Sequence, residues 1–250
     1  FQAEAGIRDY KVTGVQTCAL PIYIPASTIS RWIPSTTRYH VFRQPSQQAN
    51  GNTVDPQGRL VSCEHATRRV TRTEHDGTVV PIATHFEGKR LNSPNDVVCA
   101  RDGSIYFSDP PYAVKPEERE LDFQGVFRLQ GDKLTCVARD FIKPNGLCFS
   151  PDESILYIAD TEAGHIRVGD RVFCKVERPD GIRCDQAGNL YVAAMKAVEI
   201  FDATGRKTGE ITLPERPANL AFGDPDRRTL YICARTSLYR ARVDVPGAGF

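Results

Sequence analysis

The chain has 250 residues with 32 basic and 31 acidic side chains, a formal net charge of +1. That length fits one domain with a sizeable core, and the even charge balance argues against a polyanionic partner such as nucleic acid. No apolar run approaches the ~18 residues of a membrane-spanning helix, while 17 prolines and 19 glycines suit many short strands joined by turns.

Residues 1–22 lack the strand-and-turn pattern of everything downstream. The stretch from Ile7 to Ile22, IRDYKVTGVQTCALPI, resembles the translation of a sequencing adapter, so 1–22 is read as a non-native segment. No secretory leader is visible, which places the protein in the cytoplasm, with a leader lost from the true N-terminus as the alternative. From Tyr23 the chain reads as structure, with the strand-like runs ISRWI and YHVFRQ.

A repeated unit then begins. It is ANGNTVDPQGRLVSC from Ala49, SPNDVVCARDGSIYFSDPPY from Ser93, PNGLCFSPDESILYIAD from Pro144, PDGIRCDQAGNLYVAA from Pro179 and PANLAFGDPDRRTLYICA from Pro217. Each copy has Asn or Asp at one place, an apolar run, a polar turn and a second apolar run. Asp102-Gly103 shows the turn chemistry: a tight hairpin needs positive φ, and Gly supplies it without strain. The aligned residues are Asn50, Asn95, Asn145, Asp180 and Asn219, at spacings of 45, 50, 35 and 39. Strand-built repeats of that period predict an all-β fold, a β-propeller with one blade per repeat. No window carries the 3.6-residue stripe of a helical solenoid.

Repeats related by rotation place equivalent side chains around one axis. Four amide oxygens and one carboxylate would then ring the channel, a hard-oxygen set suited to Ca2+, with Mg2+ or Mn2+ as alternatives. Asn and Asp also serve as turn formers. That explanation suffices for one copy and strains for five in register.

Between the repeats, Cys63-Glu64-His65 ends a strand, which puts Glu64 and His65 near the channel mouth. The loop 113–122 is long enough to lid a pocket or to be a solvated excursion. Residues 161–176 look short for a blade's outer half, as if a strand were trimmed. The strand region around 230–240 is expected to have an open edge, because strands from the true N-terminus appear to be lost. The eight cysteines form no CxxC or Cys/His metal spacing, and those at 63, 99, 148, 184 and 233 read as small buried hydrophobes in a reducing compartment.

The strings LNSPNDVV, DGSIYFSDPPY, KPNGLCFSPDE, LYIADT, PDGIRCD and PANLAFG with LYICARTSLYR, in this order, resemble the SMP-30/gluconolactonase/luciferin-regenerating family from Tyr23 to about Arg242. The resemblance implies a six-bladed propeller over 23–250, here with an incomplete first blade. It implies one divalent metal in the channel, most often Ca2+, with Zn2+, Mn2+ or Mg2+ as alternatives. It also implies hydrolysis of a small-molecule sugar lactone. Asn145 and Asp180 match metal ligands, and Asn95 matches a residue at the metal or its substrate. Asp180 would also be the general base. Asp96 and Ser93 would flank the pocket, and His65 and Asn219 follow by position as substrate-binding candidates. The family's first-blade Glu, in an EGP motif, would fall near Arg8. Glu4 lies too far upstream and lacks the Pro, so that ligand is left unassigned. Two other readings stay open: a propeller that binds without chemistry, and a propeller hydrolase of another ester or a phosphotriester.

Overall fold

The computed structural model describes residues 4–8, 15–16, 18–19, 22–33 and 38–249. Their backbone forms five four-stranded antiparallel sheets. Blade I comprises Ala49–Val54, Leu60–Glu64, Arg69–Thr73 and Val79–Ala83. Blade II comprises Val97–Cys99, Ile105–Asp109, Gly125–Gln130 and Lys133–Ala138. Blade III holds Pro144–Phe149, Leu156–Asp160, His165–Val168 and Arg171–Lys175. Blade IV holds Ile182–Cys184, Leu190–Ala193, Ala197–Phe201 and Lys207–Thr212.

Blade V closes differently. Pro217–Gly223, Thr229–Ala234 and Ser237–Arg242 take their fourth strand from Glu4–Arg8, which pairs Glu4 with Arg240 and Arg8 with Ser237. The edge expected to be open is therefore covered. Thr28–Ile33, Arg38–Arg43 and Ile22–Tyr23 make a three-stranded sheet. The all-β propeller expectation holds, with five four-stranded blades among the described residues. Part of the suspected non-native segment 1–22 lies outside those residues. Blade III keeps both outer strands, so nothing there is trimmed. They are short, and a turn at Gly169-Asp170 joins them.

The turn chemistry explains the hairpins. In blade II the Ala100 N–H bonds Ser104 O at 2.8 Å and the Gly103 N–H bonds Ala100 O at 2.9 Å, with Gly103 at φ 82. The Asp102 carboxylate accepts the Ser104 N–H at 2.8 Å and fixes the turn. Between blades the core is apolar and aromatic. Val61, Cys63 and Phe86 meet Val97, Phe107 and Phe127 between blades I and II. Tyr191 packs edge-on against Phe222, with ring centres 5.2 Å apart, between blades IV and V. The cysteines at 63, 99, 148, 184 and 233 are buried, as expected of small hydrophobes.

The first strand of each blade lines the axis, and neighbours touch directly. The Gly51 N–H bonds Asn95 O at 2.6 Å, and the Gly181 N–H bonds Ala218 O at 2.9 Å.

Candidate functional site

The N-terminal ends of these innermost strands open on a cavity of about 350 Å3. The ladders slip where the repeated residue sits, between Ala49 and Asn52, between Pro144 and Leu147, and between Pro217 and Asn219. Such an irregularity re-aims a side chain that regular pleating would place elsewhere. Asn50, Asn95, Asn145, Asp180 and Asn219 consequently all line the one cavity.

The amides form a directed chain. Asn50 Nδ2 donates to Asn95 Oδ1. Asn95 Nδ2 donates to Asn145 Oδ1 at 2.6 Å. Asn145 Nδ2 donates to Thr161 Oγ1 at 3.0 Å and to the Tyr112 hydroxyl at 3.1 Å. The Thr161 hydroxyl ends the chain on Pro179 O at 2.7 Å. Each amide oxygen has two lone pairs, so Asn145 Oδ1 can accept a second partner beside Asn95 Nδ2. Asn219 Oδ1 accepts the Leu220 N–H at 2.8 Å and fixes its own strand end.

Asp180 lies beside this chain, with 29 % of its side chain open to the cavity. Burial among protein atoms raises its pKa to about 7, against the opposing pull of Arg216, whose Nη2 stands 3.8 Å from Asp180 Oδ2. Asp96 also lines the cavity but is 2 % exposed. Its Oδ1 accepts the Val97 N–H at 2.9 Å and its Oδ2 has no hydrogen-bond partner. Burial raises its pKa, opposed first by Arg183. His65 Nε2 lies 3.2 Å from Asn95 Oδ1. Burial lowers its pKa to about 4, so the ring is neutral at pH 7.

Two expectations change. Ser93 is fully buried and does not line the cavity, because its hydroxyl ends inside the protein. Glu64 points away from the mouth, since neighbouring strand residues alternate sides. It is buried against Arg43 at 2.9 Å and Arg69 at 2.7 Å, while His65 faces the cavity. The loop 113–122 packs outside the channel, held by Arg68 Nη1 on Glu118 O at 3.0 Å, and only Tyr112 ahead of it reaches the wall.

Tyr112, Thr161, Arg178 and Arg216 also line the cavity and escaped the sequence reading. Thr161 ends the string LYIADT, and both arginines directly precede a proline that opens a repeat. Among the described residues no trio of His, Cys, Asp or Glu side chains suits a metal. A cation here would rely on amide oxygens beside Asp180. That donor chemistry, neutral hard oxygens plus one carboxylate, fits Ca2+ or a similar ion.

The chain is similar to known lactonases. The gluconolactonase of Zymomonas mobilis is 29 % identical over 89 % of this chain and 74 % of its own length. The pentonolactonase XacC of Haloferax volcanii is 31 % identical over 62 % of this chain and 59 % of its own. The structure of a gluconolactonase from Xanthomonas campestris superposes with a TM-score of 0.87 at 32 % identity, covering 97 % of this chain and 88 % of that one. Residues 22–236 match the SMP-30/gluconolactonase/LRE-like region, and the chain belongs to that family.

Proposed function

We propose that the chain opens a sugar lactone by adding water across its ring ester, with Asp180 as the general base. The observation that carries this reading is Asp180 itself: the accessible carboxylate on the cavity wall, set among the repeated amides Asn50, Asn95, Asn145 and Asn219. Asp180 accepts a proton from water as its oxygen bonds the lactone carbonyl carbon. The ring C–O bond then breaks, and the same proton passes to the leaving alkoxide, which gives the aldonic acid.

Asn145, Asn95 and Asp180 would hold a divalent cation. Such an ion, when bound, polarises the carbonyl and lowers the pKa of nearby groups, Asp180 included. The chain's own residues do the positioning. Asn145 is fixed by Tyr112 and Thr161, Asn95 is fixed by Asn50, and the neutral His65 ring offers one donor or acceptor to a sugar hydroxyl. Asp96 and Asn219 border the same space as substrate-binding candidates. The three-stranded sheet before blade I is read as an incomplete sixth blade, supported by its place between the closing strand and Ala49.

Glucono-δ-lactone hydrolysis followed by pH-stat, with Ca2+, Zn2+ or Mn2+ and with a chelator, tests the reading. Hydrolysis that a divalent ion supports and Asp180→Asn abolishes is the expected result. Full activity in Asp180→Asn removes the assignment.

A further inference from the structure

Three cations occupy one repeated position. Lys143, Arg178 and Arg216 each stand directly before the proline that opens the channel end of blades III, IV and V, in Lys143-Pro144-Asn145, Arg178-Pro179-Asp180 and Arg216-Pro217-Ala218. Rotation about the axis turns that sequence pattern into a crescent on one side of the mouth. Arg178 and Arg216 line the cavity. The Lys143 ammonium lies 5.3 Å from the ring centre of Tyr112, another wall residue.

The counter-charge is thin. Glu162 serves both Lys143, at 3.2 Å, and Arg178, at 3.4 Å. Among the described residues the counter-charge to Arg216 is Asp180 at 3.8 Å, too long for a hydrogen bond, and its guanidinium otherwise donates to Arg178 O at 3.4 Å. Ion pairs this exposed are individually weak, so an incoming anion competes for the same guanidinium and ammonium groups at little cost. The far wall, built from Asn50, Asn95 and His65, holds no lysine or arginine. Backbone strain points the same way. Arg178 has φ 49, although it is neither Gly nor Asn and precedes a proline. That conformation is disfavoured on both counts, and retained strain of this kind gathers where a side chain must be aimed.

We propose that the lactone this cavity takes carries a second, anionic group on the carbon chain remote from the ring carbonyl, and that Lys143, Arg178 and Arg216 hold it. The inference rests on the lactonase reading and narrows its substrate class. The ester end reaches Asp180 and the amides, while a phosphate or carboxylate stays at the rim, where planar guanidinium forks pair with such oxygens in a bidentate manner.

The test compares kcat/KM on three substrates: glucono-δ-lactone, the same lactone phosphorylated at its terminal hydroxyl, and the lactone of glucaric acid, which carries a carboxylate there. Wild type should favour at least one anionic lactone by about tenfold or more, the scale of one charge-assisted hydrogen bond. The preference should shrink with added salt and fall toward parity in the Lys143→Met, Arg178→Met double variant. The two anionic arms separate a phosphate from a carboxylate. A preference for the neutral lactone, or one that survives the double variant, overturns the proposal. Calorimetry with phosphogluconate and gluconate reads the rim without turnover. Tighter phosphogluconate binding that the double variant loses supports the crescent even if no lactone is opened, an outcome that would reject the lactonase reading alone. Equal binding of the two acids overturns the crescent.

Discussion

Gly146→Ala should damage stability and catalysis together. A Cβ at Gly146 would stand 2.2 Å from Asp180 O, 2.8 Å from Gly181 Cα and 2.9 Å from Ile182 N. All three are backbone atoms of blade IV's channel end, so no side chain can swing away. An ordinary contact of about 3.4 Å requires blades III and IV to part there by about 1 Å. Overpacking of that kind costs about 1–3 kcal/mol, or a fall in Tm of roughly 2–12 °C for a domain of this size. The displaced segment contains Asp180 itself, and a misplacement of about 1 Å can cost ~100-fold in turnover. Gly58→Ala is the control. Its φ is +79 but nothing lies within 4 Å of the added Cβ, so it should lose only about 1 kcal/mol and leave lactone hydrolysis untouched. Differential scanning calorimetry and initial rates on both variants decide. Equal Tm losses in the two, or full activity in Gly146→Ala, would refute the idea that this glycine sets the blade spacing at the site.

Asp180→Asn should abolish hydrolysis while Tm holds or rises, because a half-buried acid whose pKa burial raises is made neutral; a Tm collapse would show that its role is structural. Asn145→Ala should weaken Ca2+ binding about tenfold or more in a calorimetric titration, and unchanged affinity rejects it as a ligand. Asp109 is fully buried, and burial raises its pKa to about 7 from an ordinary value of 3.8. Its folded pKa lies above its unfolded one, so its contribution to stability is present below about pH 4 and is lost as pH rises through 7. Wild type should therefore lose stability relative to Asp109→Asn between pH 5 and 8, by up to about 3 kcal/mol in chemical denaturation, and parallel stability curves dismiss the claim. Glu64 is buried against Arg43 and Arg69, so Glu64→Ala strands a charge and should cost about 3–5 kcal/mol in chemical denaturation; a loss below about 1 kcal/mol would show the pairs to be idle.

The ring of Asn and Asp was legible because a repeated residue in a rotated blade must return to the same radius, and Asn50 through Asn219 did so. Their partners were not. Tyr112 arrives from a loop whose path depends on Arg68 and Val114, and Thr161 matters only because it stands between Asn145 and Pro179 O. Ser93 was misplaced because spacing from Asn95 cannot show that its side chain ends inside the protein. Glu64 and His65 were paired by adjacency, yet a strand sends neighbours to opposite faces. The closing strand Glu4–Arg8 was missed because AEAGIR has no β-rich signature of its own; Ser237–Arg242 supplies the template.

The amide chain from Asn50 to Pro179 O behaves like a row of coupled compass needles. Every donor points the same way around the channel, and one amide turned end for end would set oxygen against oxygen on one side and N–H against N–H on the other. Because the row ends on the Pro179 carbonyl, which can only accept, it has one collective setting rather than many individual ones. Whatever draws on the Asn145 oxygen is felt at Asn50, two blades away, because each bond polarises the next.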